Sequence, residues 1–148
     1  MASVDETTQK VQRILASKFN NVMLADNGFA VERGSTRVKI EVKDFGKDAE
    51  GNPQSIVYLW APIGREIPTT PEFFRWAATE AQGYRFGATA VYESEDKKTC
   101  LAVFAHSLLA DFLDPDELEN AIWMVAGTAD DLDDKVHDQF GGKRYTDE

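Results

Sequence analysis

The chain has 148 residues, the length of one ordinary domain, and its 43% hydrophobic and 28% charged residues are typical of a soluble globular protein. Its 26 acidic and 16 basic residues give a formal charge of -10 at pH 7, which repels nucleic acid and anionic lipid. We therefore expect a single domain over residues 1–148 that binds neither nucleic acid nor a membrane.

The N-terminal residues and the cysteine content indicate the cellular location and the state of the thiol. The first ten residues lack the charged and apolar regions of a signal peptide, and no run of about 18 apolar residues occurs, so a cytoplasmic protein is expected. Cys100 is the only cysteine, so the chain forms no internal disulfide. Because Cys100 lies in an apolar, strand-like run, we expect a buried and inert thiol rather than a nucleophile.

The first part of the chain predicts a helix followed by paired strands. Ser3 and Glu6 form a capping box before apolar residues at helical spacing, which predicts a first helix over about residues 4–20. A Gly34-Ser35 turn then pairs two predicted strands, one before it and one after it. The second run alternates between charged residues and the apolar residues Val38, Ile40 and Val42, as a half-buried strand does.

The middle of the chain predicts a third strand and a second helix. The strand is expected over Ile56 to Ile63, with Pro62 near its end or at a sheet edge, because proline cannot donate a hydrogen bond to a neighbouring strand. The helix opens at Thr70, where a capping threonine precedes a proline, and it stops at Gly83.

The last part predicts two strands and a long helix. The strands, Phe86 to Glu93 and Thr99 to Leu109, are joined by a charged hairpin loop, and the helix begins with Asp114 as its cap and ends at Gly141. The predicted order is helix, three strands, helix, two strands, helix. This order is typical of an α+β fold.

The stretch TADDLDDKVHDQFGG, residues 128–142, raises the question of a metal or catalytic site. An apolar stripe runs along this helix, and the aspartates lie on another flank: Asp130, Asp131, Asp133, Asp134 and Asp138. The calcium-loop pattern is missing, and Asp133 or Asp134 with His137 supplies only two ligands. We therefore predict a solvated acidic face that serves solubility, and no metal site.

Other catalytic patterns do not occur either. The chain has no GxSxG, GxxxxGK or GxGxxG motif, and no carboxylate pair is singled out for glycoside chemistry. His106 lies among apolar strand residues, where a hydrogen-bonded packing role is expected. The sequence thus indicates no catalytic residue and no cofactor.

Aromatic residues are concentrated in the middle of the chain, in IVYLWAPIG and PEFFRWAATEA. On a helical wheel the apolar residues of the second helix, including Phe73, Phe74 and Trp76, cover more of the circumference than one sheet hides. The excess predicts a homodimer through this helix. The alternative is that Phe73 and Trp76 are ordinary core and Phe74 packs under a loop.

The third strand is apolar on both faces, with Tyr58 and Trp60 on one and Val57, Leu59 and Ala61 on the other. Such a strand is either covered twice or offers one face to a partner, because large apolar patches usually mark binding surfaces. Five residues are therefore candidates for binding a client or a second copy: Tyr58, Trp60, Phe73, Phe74 and Trp76.

The order of elements, with the last helix DPDELENAIWMVAGTADDLDDKVHDQFGG, resembles the class I type III secretion chaperone and YbjN-like peptide-binding family, in particular actinobacterial YbjN-type domains. The resemblance implies the order α-β-β-β-α-β-β-α, with an antiparallel five-stranded sheet packed with three helices. It also implies a non-enzymatic bacterial dimer, built on the second helix, that holds an extended client segment against apolar patches.

Two other functions stay open at this stage. A small-ligand binder or enzyme would use a pocket between sheet and helix, beneath the third strand, with His106 or Asp111 as polar groups. The acidic last helix would, in the other alternative, imitate nucleic acid and occupy a basic protein.

Overall fold

The computed structural model describes residues 3–147, and within them three α-helices and six strands form one α+β unit. Their bounds are α1 Val4–Lys18, β1 Val22–Ala25, β2 Gly28–Arg33, β3 Thr36–Lys47, β4 Pro53–Pro68, α2 Pro71–Ala78, β5 Ala88–Glu93, β6 Thr99–Leu109 and α3 Pro115–Phe140. A short 3-10 turn, Glu80–Gln82, follows α2. The predicted fold class is confirmed.

The strands form one sheet in the order β1-β2-β3-β4-β6-β5, and all neighbours are antiparallel. The prediction of five strands was wrong, since β1 forms an additional edge strand. Its first residue, Val22, continues the helical spacing of the apolar residues in α1, although α1 ends at Lys18. The other edge, β5, pairs only with β6 in the part of the chain that the structure describes.

The helices lie on one face of the sheet, which we call the inner face. Val57, Leu59 and Ala61 of β4 point toward it and are fully buried, and α1 and α3 both pack on β3 and β4. A hydrogen bond of 2.7 Å between the Thr7 and Ser55 hydroxyls joins α1 to this face. The hydrophobic core thus lies between one sheet and one helical layer.

The helices begin where the sequence predicted. The side chains of Ser3, Thr70 and Asp114 accept hydrogen bonds from backbone N–H groups three residues later, at 3.3, 3.2 and 2.8 Å. Each cap satisfies one of the N–H groups that a helix leaves unpaired at its start. At the other end of α3, Gly141 takes a φ of 82°, which favours glycine.

Strand β4 is twice as long as predicted and crosses the centre of the sheet. Pro62 therefore lies in a central strand, and its expected position near a strand end or sheet edge was wrong. The register between β4 and β6 shifts between Pro62 and Gly64 and again between Gly64 and Ile67. Such irregularities tolerate a residue without an N–H group inside a sheet.

No helix among residues 3–147 has the length and apolar content needed to cross a membrane.

Candidate functional site

The face of the sheet opposite the helices, which we call the outer face, carries Tyr58 and Trp60. Their strand partners are Ser107 and Ala105 of β6. Strand alternation sends these side chains away from the core that Leu59 enters, and both remain only half-buried. The predicted division of β4 between two faces is confirmed.

A groove of about 240 Å³ lies on the outer face beside these two aromatic residues. Val103 is 1% exposed and forms its floor, whereas Tyr92, at its rim on β5, is 53% exposed. We call this hollow the outer groove; it is lined by Glu41, Lys43, Tyr58, Trp60, Tyr92, Leu101 and Val103. An apolar floor with a few polar groups at the rim is typical of a binding surface.

Tyr58 is held in place by its neighbours. Burial and a hydrogen bond with the Tyr92 side chain raise the pKa of the Tyr58 phenol above its ordinary value. The phenol stays protonated at neutral pH, so Tyr58 offers a hydroxyl group and an aromatic ring rather than a base.

A second hollow, of about 330 Å³, lies on the other side of Tyr58. Small residues of β5 and β6 line it, including Ala88, Ala90 and Ala105. The Tyr58 ring thus stands between two depressions of the same sheet face, which together extend toward the free edge of β5.

Lysines from β3 lie over the aromatic rings of β4. The Lys39 Nζ atom is 5.2 Å from the centre of the Trp60 ring, and the Lys43 Nζ atom is 4.8 Å from that of Tyr58. Ammonium groups at this distance from an aromatic face are attracted by the ring quadrupole. On its β3 side the outer groove is therefore lined by Lys43 and Glu41, and Lys39 lies beside it over the Trp60 ring.

The second helix leaves much less apolar surface uncovered than the sequence predicted. Phe73 is fully buried and Trp76 is 7% exposed, because the ring of Phe140 from α3 packs on both, with ring centres 5.2 and 5.5 Å apart. Phe73 and Trp76 therefore belong to the core, and their expected place on a binding surface was wrong. Phe74, at 36% exposed, and Ala78 form the remaining uncovered apolar flank of α2.

The aspartates of α3 divide into two groups. Asp130, Asp131, Asp134 and Asp138 are exposed, as predicted for a solvated face. Asp133 is 5% exposed, and its expected place on that face was wrong. It stands four residues after the buried Ala129 and three before the buried Val136, so helical spacing directs it toward the core.

The position of Asp133 changes its acidity. Burial and the nearby Asp134 and Asp130 carboxylates raise its pKa to about 6, against the opposing influence of Arg144. Within residues 3–147 no group of three or more potential ligand side chains is placed to hold a metal ion.

Of the two residues suggested for a small-ligand pocket, His106 is half-buried and packs against an aromatic ring. His106 stacks on Phe86 with ring centres 3.8 Å apart, and burial lowers its pKa. Cys100 is 2% exposed and its thiol points to the Ile67 carbonyl, as expected for an inert core cysteine. Core side chains fill the space between sheet and helices in which the alternative function needs an enclosed cavity.

Another hollow, of about 690 Å³, lies between the β2–β3 turn and α3. The Arg33 guanidinium stacks over the Trp123 ring at 5.0 Å and Met124 is 49% exposed. Asp130 and Asp131 line the same hollow. Although larger than the outer groove, it has a lining that is about equally polar and apolar, whereas the lining of the outer groove is mostly apolar, so it is the weaker candidate for holding an apolar segment.

Five residues of the outer groove were missed by the sequence interpretation: Glu41 and Lys43 of β3, Tyr92 of β5, and Leu101 and Val103 of β6. Tyr92, Leu101 and Val103 belong to the last two strands, which were recognised but not assigned a face. The signal lay in the alternation of β6, because residues two apart share a sheet face. Only the pairing of β6 with β4, and of β5 with β6, places them beside Trp60.

Comparisons with known proteins agree with this architecture. The family model described as T3SS (YopN, CesT) and YbjN peptide-binding chaperone 1 matches residues 5–148. Among curated proteins, none is similar enough to count as a match.

The fold is shared with a solved chaperone structure. The type III secretion chaperone SycH of Yersinia pestis, crystallised in complex with a stable fragment of YscM2, aligns with a TM-score of 0.50 and 9% identity, covering 85% of this chain and 98% of its own. At this identity the likeness is one of fold alone. The family description points to a binding role, and because the family model spans nearly the whole chain, this protein belongs to the T3SS and YbjN peptide-binding chaperone family.

Proposed function

We propose that this protein is a chaperone-like, non-enzymatic module that holds an extended segment of a protein or peptide client on the outer face of its sheet. The observation that carries the proposal is the outer groove, where Tyr58 and Trp60 remain half-buried on a face that no helix covers. Membership of a peptide-binding chaperone family supports it.

The groove suits an extended apolar segment. Val103, at its floor, is already shielded from water. Its walls include aromatic rings, which lose little side-chain entropy on binding. A client side chain inserted there would gain apolar burial with little demand for a particular sequence. Within residues 3–147, β5 pairs with no strand beyond β6, so an extended client is able to form backbone hydrogen bonds along this edge, next to the same face.

We further propose a homodimer through α2, now with a smaller interface than the sequence suggested. The supporting observation is the pair Phe74 and Ala78, which stand four residues apart on one flank of the helix. A two-fold axis at this flank would bury the Phe74 ring against its own copy. We also propose that the protein binds its clients in the bacterial cytoplasm, the location expected from the sequence.

A binding measurement tests the proposed function. The probe is a short fluorescein-labelled peptide in which Leu, Gln, Phe and Gln occupy alternate positions with Ser between them, so that all four side chains share one face. We expect the full chain to raise its fluorescence polarisation and the Trp60→Ser variant to bind at least about tenfold more weakly, since an anchoring aromatic contact is lost.

The control is Phe112→Ser, which removes an aromatic residue that is 88% exposed on the loop before α3. This variant should bind like the unmodified chain. Equal binding by Trp60→Ser and the unmodified chain would place the client elsewhere and contradict the proposal.

A further inference from the structure

The outer groove has a charged border that distinguishes it from the rest of the molecule. Strand β3 presents three cationic side chains, Arg37, Lys39 and Lys43, on the outer face, with Glu41 as the acidic residue between them. The chain as a whole carries ten more acidic than basic residues. Cations are thus concentrated beside the groove of an otherwise acidic protein.

The three cations differ in how far the protein already neutralises them. The Arg37 guanidinium is 2.7 Å from a Glu32 carboxylate oxygen and stacks on the Tyr145 ring at 5.1 Å. Its charge is therefore already matched within the chain.

Lys43 and Lys39 are matched less well. The Lys43 Nζ atom is 3.6 Å from Glu41, and its side chain is 52% exposed. Across residues 3–147, no carboxylate lies within 4.0 Å of the Lys39 Nζ atom, which instead lies over the Trp60 ring. Both ammonium groups retain the capacity to bind an external anion.

The arrangement places each of these lysines next to an aromatic anchor. Lys39 is the direct strand partner of Trp60, and Lys43 lies over the ring of Tyr58. An extended peptide repeats its side chains on one face every two residues, about 6.8 Å apart. A client carboxylate two residues from an apolar side chain would thus reach Lys39 or Lys43, while the apolar side chain contacts the Trp60 or Tyr58 ring.

We propose that the clients of this groove are segments in which acidic residues alternate on one face with large apolar residues. This inference rests on the proposed function and adds the chemistry of the client to it. Charge complementarity across an interface raises the association rate and excludes partners of the wrong sign, so basic segments would be rejected even when they are equally apolar.

A charge series tests the inference. The neutral probe described above is compared with two peptides in which Glu or Lys replaces both Gln residues, at low and at high salt. We expect the Glu peptide to bind about three- to tenfold more tightly than the Gln peptide, and the Lys peptide to bind more weakly, with both differences shrinking at high salt.

Two double variants identify the source of the preference. Lys39→Gln with Lys43→Gln should make the Glu and Gln peptides bind equally. Lys10→Gln with Lys135→Gln, which changes the net charge equally but lies on the helical layer, should keep the preference.

The possible results separate the two proposals. Equal binding of all three peptides, or a preference for Glu that survives the loss of Lys39 and Lys43, would overturn this inference and leave the proposed function standing. Failure of the unmodified chain to bind any of the peptides would overturn both. Self-association that disappears in the Lys39/Lys43 variant would assign the surface to a second copy and overturn the client specificity.

Discussion

The Phe73 and Phe140 rings meet edge to face, with their centres 5.2 Å apart and their planes inclined by 71°. This contact joins α2 to the last turn of α3, which lies far away in the chain. It explains why Phe73 is fully buried, whereas the next residue, Phe74, keeps 36% of its surface exposed. Adjacent phenylalanines therefore have different roles, the first in folding and the second at the surface.

We predict opposite outcomes for substitutions at these two positions. Phe73→Ala should lower the free energy of unfolding by about 3–5 kcal/mol, because it removes a buried ring and leaves a cavity. Phe74→Glu should change it by about 0.5 kcal/mol or less, as is usual for surface positions. Urea denaturation at low protein concentration measures both.

The same pair tests the proposed homodimer. Light scattering should give the mass of a dimer for the unmodified chain and the mass of a monomer for Phe74→Glu, since the substitution places two carboxylates across the two-fold axis. A monomeric unmodified chain at high protein concentration would refute the dimer while leaving the groove untouched.

Because of Asp133, the free energy of unfolding should depend on pH. Its pKa is raised to about 6 in the folded chain, mainly by burial, and is lower in the unfolded chain. Ionised Asp133 therefore destabilises the fold above about pH 6, and protonation relieves this cost as the pH falls.

The Asp133→Asn variant should thus be more stable than the unmodified chain at pH 7.5, by about 1 kcal/mol after allowance for nearby solvent. The difference should shrink as the pH falls from about 6 and disappear below about pH 3, where Asp133 is protonated in both the folded and the unfolded chain. Thermal unfolding over this pH range measures it, with Asp131→Asn on the exposed face as the control. A constant difference at all pH values would mean that titration of Asp133 is not its cause.

The N-terminal cap of α3 should contribute measurably to stability. The Asp114 carboxylate accepts a hydrogen bond of 2.8 Å from the Glu117 N–H group, so Asp114→Ala should lower the free energy of unfolding by about 1 kcal/mol. Asp114→Asn, which retains a side-chain acceptor, should restore most of the loss. If both substitutions cost the same, the negative charge at the helix start rather than the hydrogen bond would be responsible.

Local patterns in the sequence predicted much of this fold. The caps at Ser3, Thr70 and Asp114 were identified because their hydrogen bonds span only three residues, and the two faces of β4 followed from strand alternation. Strand β1 was missed because its four residues at the sheet edge carry too little pattern to be separated from the helical spacing before them.

The candidate site depended on contacts that no local pattern contains. A helical wheel showed that Phe73 and Trp76 need cover, but it did not reveal that Phe140, over sixty positions later, supplies it. Likewise, the outer groove forms only when β6 pairs with β4 and brings Val103 and Tyr92 near Trp60. Asp133 is a different case, because its spacing from Ala129 and Val136 already pointed inward.

A nuclear magnetic resonance map of the nitrogen-15-labelled chain, titrated with the Glu-containing peptide, locates the client surface residue by residue. If clients bind the outer face, the shifted amide signals should lie in β3, β4, β6 and β5, around Trp60, Leu101 and Tyr92. Shifts confined to the hollow beside Trp123 and Met124 on α3, with the outer groove unchanged, would contradict the account.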